Sequence, residues 1–215
     1  MIELHVDHLK VGLGASQRTL LRDFSLQCAP GQIITLMGPS GCGKSSLLAA
    51  IAGLQIEGVQ APMQLQLAGQ RIDHLPTSQR QIGLLFQDDL LFAHMSVREN
   101  LLFACPSGTA VERERQADAA LTELGFEQYA NISPLTLSGG QRARVSLMRT
   151  LLAQPKALLL DEPFSKLDAA LREQFRQFVF AHVRRLRLPT LLVTHDAADV
   201  ADGAQVIQWE ALQHA

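Results

Sequence analysis

Aromatic residues are scarce in this chain of 215 residues, which holds one Trp, one Tyr and nine Phe, 5% of the total. Leu, Ile, Val and Ala must therefore fill the interior. Cysteine is equally sparse. Cys28, Cys42 and Cys105 have no metal-ligand spacing among them. An odd count, with no secretory signal at Met1-Ile2-Glu3-Leu4-His5, points to a reducing compartment. No segment approaches the roughly 20 apolar residues that span a bilayer, so work at a membrane would need another protein as anchor. There is no broad basic tract and the formal net charge is −2, which argues against a nucleic-acid binder. One short basic run, Arg184, Arg185 and Arg187, reads as the solvated face of a helix.

What is present, 47% hydrophobic and 19% charged residues, suits one globular domain or a core carrying one inserted lobe. Ile2, Leu4 and Val6 alternate with polar residues, as a half-buried strand requires. Residues 24–28 and 63–68 repeat that alternation, and the three runs together predict an antiparallel flank. The runs 33–37, 82–86, 157–160 and 191–193 are continuously apolar, the pattern of parallel strands buried on both faces. Helical segments lie between them, so the centre is expected to be α/β. Residues of about 88–154 carry mainly helical signals. Ser96-Val97-Arg98-Glu99 and Thr109-Ala110-Val111-Glu112 are capping boxes, and the second opens a helix expected to stop at Gly125. No strand-like run interrupts this stretch, which therefore reads as an inserted helical subdomain, with the core formed by 1–87 and 155–215.

Gly38-Pro39-Ser40-Gly41-Cys42-Gly43-Lys44-Ser45 matches the phosphate-binding P-loop pattern. Glycines let the backbone curl so that its N–H groups face phosphate oxygens, and the helix from Lys44 to about Ala52 aims its positive end at the same place. Lys44 can reach the β- and γ-phosphates of a bound nucleotide, and the Ser45 hydroxyl can ligate Mg2+. Average composition produces this pattern by chance in about one such chain in a hundred, so context decides. The apolar run 33–37 precedes the loop, and Leu47, Leu48 and Ile51 line a face of the helix after it. A P-loop alone does not separate kinases from GTPases or transport ATPases.

The string Leu137-Ser138-Gly139-Gly140-Gln141 does. In itself it is a tight turn that caps a helix running from Gln141 to about Ala153, and a second anion site of hydroxyl, bare backbone N–H groups and helix N-terminus. It resembles the signature motif of the ABC ATPases. Such a pentapeptide arises by accident about once in several thousand chains of average composition, so the likeness carries weight. The other family motifs follow in order over nearly the whole chain. Residues 157–163 look like the Walker B strand, in which Asp161 holds Mg2+ through water and Glu162 polarises the attacking water. Gln87 resembles the glutamine that touches Mg2+ and that water, Ser165-Lys166-Leu167-Asp168 the D-loop, and His195 the switch histidine at the γ-phosphate.

The resemblance implies a P-loop NTPase (RecA-like) core, an ATPase, with Lys44, Gln87, Glu162 and His195 in the chemistry, Ser45, Gln87 and Asp161 at the metal, and nucleotide contacts from residues 38–46 together with Ser138, Gly139, Gly140 and Gln141. It implies a homodimer in which two copies clasp two ATP head to tail. Glu162-Pro163-Phe164-Ser165 and residues 88–97 look like importer subunits. That implies an integral membrane permease, indirectly a solute-binding protein, and a peripheral place on the cytoplasmic face of the bacterial inner membrane. The alternatives are a soluble ABC ATPase acting on nucleic acid or the ribosome, and a small P-loop kinase. Three departures stand out. Residues 9–17 lack the adenine-stacking aromatic of the family, leaving Leu13 or Val11 as apolar contacts. Ser46 stands where threonine is common. Only residues 196–215 follow His195, so the C-terminal regulatory domain of some importer ATPases is not expected.

Overall fold

The computed structural model describes residues 1–106 and 108–212. In chain order the elements are β1 (Ile2–Val11), β2 (Arg18–Cys28), β3 (Ile33–Met37), α1 (Lys44–Ala52), β4 (Val59–Gln60), β5 (Met63–Leu67), β6 (Gln70–Arg71) and β7 (Ile82–Leu85). There follow α2 (Val97–Ala104), α3 (Ala110–Leu124), α4 (Gly139–Leu152), β8 (Ala157–Asp161), α5 (Ala169–Leu186), β9 (Thr190–Thr194), β10 (Gln205–Gln208) and α6 (Trp209–Leu212). The described residues divide into two compact units.

The first unit comprises 1–84, 156–162 and the chain from 180 onward. Its antiparallel sheet has β1 at the centre, paired with β2 and β5, as the alternating runs predict. Ile2, Leu4, Val6 and Leu9 are buried along one face of β1, and a register shift between Leu9 and Lys10 interrupts the pairing with β2. β2 begins at Arg18, well before the 24–28 run, because its early residues complete the ladder from Ile2↔Cys28 to Val11↔Arg18. The second sheet has the order β10-β3-β9-β8-β7, with β10, β3, β9 and β8 parallel along their shared edges. Every residue of β9 is buried, as are the first four of β3 and of β8, the burial that a strand covered on both faces undergoes. The terminal strand β10 escaped the sequence pattern. Half of Gln205-Val206-Ile207-Gln208 is polar and most of it is exposed, which an edge strand tolerates. Side chains of both sheets and of α1 form one core. Leu47, Leu48 and Ile51 are fully buried, but Ala49 and Ala52 are buried too, so α1 is enclosed more widely than a single apolar face.

The second unit comprises 85–155 and 163–179. Between 88 and 154 the described residues contain helices and no strand. Both capping boxes form: Ser96 Oγ accepts from Glu99 N at 3.2 Å while Glu99 Oε2 accepts from Ser96 N at 2.6 Å, and Thr109 and Glu112 repeat the exchange. Gly125, at φ +68°, ends α3, a left-handed position that glycine fills without strain. α2 packs on α3 and α4 through buried Val97, Leu101, Ala117, Leu121, Val145 and Met148. The first part of α5 groups with this unit: Phe175 meets Phe164 edge to face, 5.8 Å between centroids, and Leu171 lies where a Cβ on Gly140 would come within 3.2 Å. Arg184 and Arg185 are exposed on α5 as expected, whereas Arg187 lies past its end at φ +52°.

Candidate active site

β3, β9 and β8 are parallel neighbours, in register Met37↔Thr194 and Asp161↔Val193. Whatever follows their C-terminal ends arrives at one edge of the sheet, where open α/β folds place their ligands. Three sequence motifs follow those ends: the loop 38–43, the pair Asp161-Glu162, and His195.

The loop turns through Gly41 at φ +77° and Gly43 at φ +109°, conformations that L side chains rarely adopt. Gly43 is also the N-cap of α1 and gives it no side-chain hydrogen bond. The first N–H groups of that helix thus lie at the loop, an arrangement suited to an anion. Lys44 is buried, 3% exposed, and folds back over the loop: its Nζ donates to the carbonyls of Gly38 at 2.8 Å and Pro39 at 2.7 Å. Cys42 Sγ lies 3.6 Å from the same ammonium.

Ser45 Oγ donates to Asp161 Oδ1 at 2.8 Å, joining the start of α1 to the end of β8. Burial raises the Asp161 carboxyl above its ordinary pKa; the Ser45 hydrogen bond and the Lys44 charge oppose that rise, and the Glu162 charge adds to it. Two oxygen donors side by side suit a hard cation such as Mg2+, which keeps most of its shell as water and phosphate. Among the described residues no group of three or more His, Cys, Asp and Glu could hold a metal unaided. The next residue, Glu162, adopts φ +46°, strain of a kind often stored at functional sites. Its Oε2 lies 3.1 Å from His195 Nδ1. The turn that presents His195 is fixed beneath: Thr194 Oγ1 donates to Asp199 at 2.6 Å in the interior and accepts from Asp196 N at 3.1 Å.

The first unit therefore gathers Lys44, Ser45, Asp161, Glu162 and His195. Gln87 and the segment 138–141 belong to the second. Gln87 Nε2 donates to Ser165 Oγ at 3.1 Å, so it meets the segment that resembles the D-loop, and its expected part at the metal rests on the resemblance. Ser138 caps α4 through a capping box with Gln141: Gln141 Oε1 accepts from Ser138 N at 2.8 Å, and Ser138 Oγ from Gln141 N at 3.3 Å. Ser138 and Gly139 are exposed. In residues 9–17, Leu13 is 60% exposed and Val11 partly buried.

Sequence reasoning missed Asp199 and Arg80. The Arg80 guanidinium is buried and donates to the carbonyls of Ala50, Ile51, Asp73 and Leu75 at 2.7–3.0 Å. It closes the C-terminal end of the helix whose other end carries the loop. Nothing local marks such a residue, because two of its partners lie about thirty positions away. For Asp199, the signal was an acid just past a conspicuous Thr-His pair.

A P-loop backed by a serine–aspartate pair and a glutamate–histidine pair defines a nucleoside-triphosphate hydrolase. The comparisons specify the family. Residues 21–165 match the model of the ABC transporter family. Over 203 residues the chain is 52% identical to the ABC transporter ATP-binding protein YnjD of Escherichia coli K12, covering 93% of this chain and 94% of YnjD. It is 40% identical to the sulfate/thiosulfate import ATP-binding protein CysA of Synechocystis over 86% of this chain and 52% of CysA. It is 38% identical to the trehalose import ATP-binding protein SugC of Mycobacterium tuberculosis over 93% of this chain and 50% of SugC. The chain thus spans nearly all of YnjD and about half the length of CysA and SugC. Among solved structures it resembles the dimeric ATP-binding cassette MJ0796 bound to ADP and Pi, with a TM-score of 0.80 and 27% identity over 97% of this chain and 94% of that one. The chain belongs to the ABC transporter family, and it is an ATP-binding subunit of the ATPase type.

Proposed function

We propose that the chain powers a bacterial importer as a pair of identical copies on the cytoplasmic face of the inner membrane, bound to a separate integral membrane permease that a solute-binding protein supplies. Support comes from the import proteins among its relatives and from dimeric cassettes among its structural neighbours. Among the described residues no helix is long and apolar enough to cross a membrane, so the transport path would belong to the partner.

The observation that carries the ATPase site is the convergence of Lys44, Ser45, Asp161, Glu162 and His195 at one sheet edge. In this reading ATP lays its phosphates on the N–H groups of residues 40–45. Lys44 then exchanges the carbonyls of Gly38 and Pro39 for β- and γ-phosphate oxygens. Ser45 and, through water, Asp161 would hold Mg2+, which when bound would neutralise charge on those oxygens. Glu162 orients a water in line with the γ-phosphorus and draws its proton as the new P–O bond forms and the bond to ADP breaks. His195 steadies the Glu162 carboxylate from 3.1 Å away and faces the departing phosphate. The partner copy's segment Ser138, Gly139, Gly140 closes over the γ-phosphate, with the core of 1–87 and 155–215 and the helical subdomain of about 88–154 acting as the two working parts. Loss of phosphate removes the bridge between copies, and the permease is released to its other state.

The test of the transport role is purification of the tagged chain from detergent-solubilised membranes. A multi-spanning protein recovered in fixed ratio supports it. Recovery with ribosomes or DNA instead points to the soluble alternative.

A further inference from the structure

Trp209 is the sole tryptophan of the chain and is fully buried. It directly follows β10, whose Gln208 pairs with Met37 at the end of β3, so Trp209 and Gly38 leave the sheet as neighbours. The indole lies behind the loop. A Cβ placed on Gly38 would sit 2.7 Å from Trp209 Cβ and 3.6 Å from its Cγ, and one placed on Gly43 would sit 3.5 Å from its Cζ2. One ring system therefore supports both ends of the glycine turn. A side chain at Gly38 would have to displace Trp209, whereas one at Gly43 would meet Leu20 Cδ1 first, at 2.5 Å, with the indole at ordinary contact distance behind it. Its Nε1–H is buried and has no acceptor among the described residues, a condition that costs free energy and that natural cores generally avoid.

We propose that Trp209 is a positioning residue for the phosphate-binding loop: its indole holds the backbone of Gly38 and Gly43 at the separation at which the loop's N–H groups converge on the phosphates. The segment β10–α6 is then part of the nucleotide-binding apparatus. The inference rests on the proposed nucleotide site and adds a residue to it. An ordinary core aromatic would stabilise the fold without setting the loop. The ring's reach predicts a graded effect: Trp209→Phe keeps Cβ and Cγ against Gly38 and loses the reach to Gly43, whereas Trp209→Ala keeps only Cβ and loses the ring at both glycines.

The experiment combines nucleotide titration of Trp209 fluorescence with steady-state kinetics. ADP and inorganic pyrophosphate are expected to change the emission of the wild-type chain saturably, with the Kd measured by calorimetry, and adenosine is expected to leave it unchanged. Trp209→Phe is expected to raise KM for ATP about three- to tenfold with kcat within about twofold, and to retain its melting temperature closely enough to be assayed should Trp209→Ala fail to fold. An unchanged KM in Trp209→Phe overturns the proposal, as does emission indifferent to saturating ADP or equally sensitive to adenosine. Failure of the wild-type chain to bind ADP in the calorimeter removes the functional reading itself. Binding with unmoved fluorescence removes this inference alone.

Discussion

Lys44 spends its charge on two loop carbonyls at 2.7–2.8 Å, a pair of acceptors that, on the proposed reading, phosphate oxygens would replace at greater gain. Lys44→Ala should lower the ATPase rate by at least the roughly 10²–10³ that follows loss of a key charge-stabilising donor, read by phosphate release at saturating ATP. Asp161 yields a second expectation. Burial raises its pKa, so the folded chain holds this proton more tightly than the unfolded chain. Stability contributed by the group is then lost as pH climbs from the ordinary aspartate value of about 4 through the raised one. Asp161→Asn should abolish hydrolysis yet melt higher than the parent near neutral pH without nucleotide, and the gap should close below about pH 4. A variant that melts lower at neutral pH contradicts that reading. Cysteine gives a third. Cys28 and Cys105 are buried, and burial pushes both thiols up, which leaves little thiolate to react. Cys42 is only partly buried in the loop. Maleimide should therefore modify Cys42 first, inhibit the ATPase, and be slowed by ATP; peptide mapping checks the site. Inhibition that ATP leaves untouched assigns the effect to Cys28 or Cys105.

Helix α1 carries the proposed phosphate site at its N-terminal end and is secured at the other by Arg80 and by Thr77, whose hydroxyl donates to Gly53 O at 2.6 Å. Gly53 has φ +82°, and a Cβ there would lie 2.6 Å from Arg80 Nε. Removal of the guanidinium leaves buried carbonyls without donors, so Arg80→Ala should cost about 3 kcal/mol of unfolding stability in urea. Lysine should recover only part of it, since its point charge lacks the planar fork. A cost under about 0.5 kcal/mol, the ordinary range for surface substitutions, contradicts the capping role. The elements legible beforehand were those whose cause is local. Alternation gave β1, continuous apolar runs gave β3, β8 and β9, and capping boxes gave α2 and α3. β10 was hidden because its partners, not its composition, make it a strand. Arg80 and Trp209 were hidden for the same reason, since each takes its place from residues distant in sequence. Asp161 was found ahead of its contact with Ser45, 116 positions away, only because the resemblance supplied the pairing.

At the scale of the whole molecule, the groups the first unit gathers are the proposed grip on one side of a triphosphate, and a second exposed helix N-terminus, at Ser138 and Gly139, lies in the other unit. On the proposed reading two copies arranged head to tail would supply both sides to each ATP, so hydrolysis by the isolated chain should be second order at low concentration. Specific activity should rise with protein concentration and then level off, while a flat line from the lowest concentration removes obligatory pairing. The clasp itself is tested most directly with Glu162→Gln, which keeps the side-chain shape but cannot draw the proton from water. Sedimentation of this variant in excess ATP–Mg2+ should give a stable dimer, and in ADP or without nucleotide a monomer. A monomer in ATP–Mg2+, under conditions where calorimetry finds ATP bound, contradicts the account.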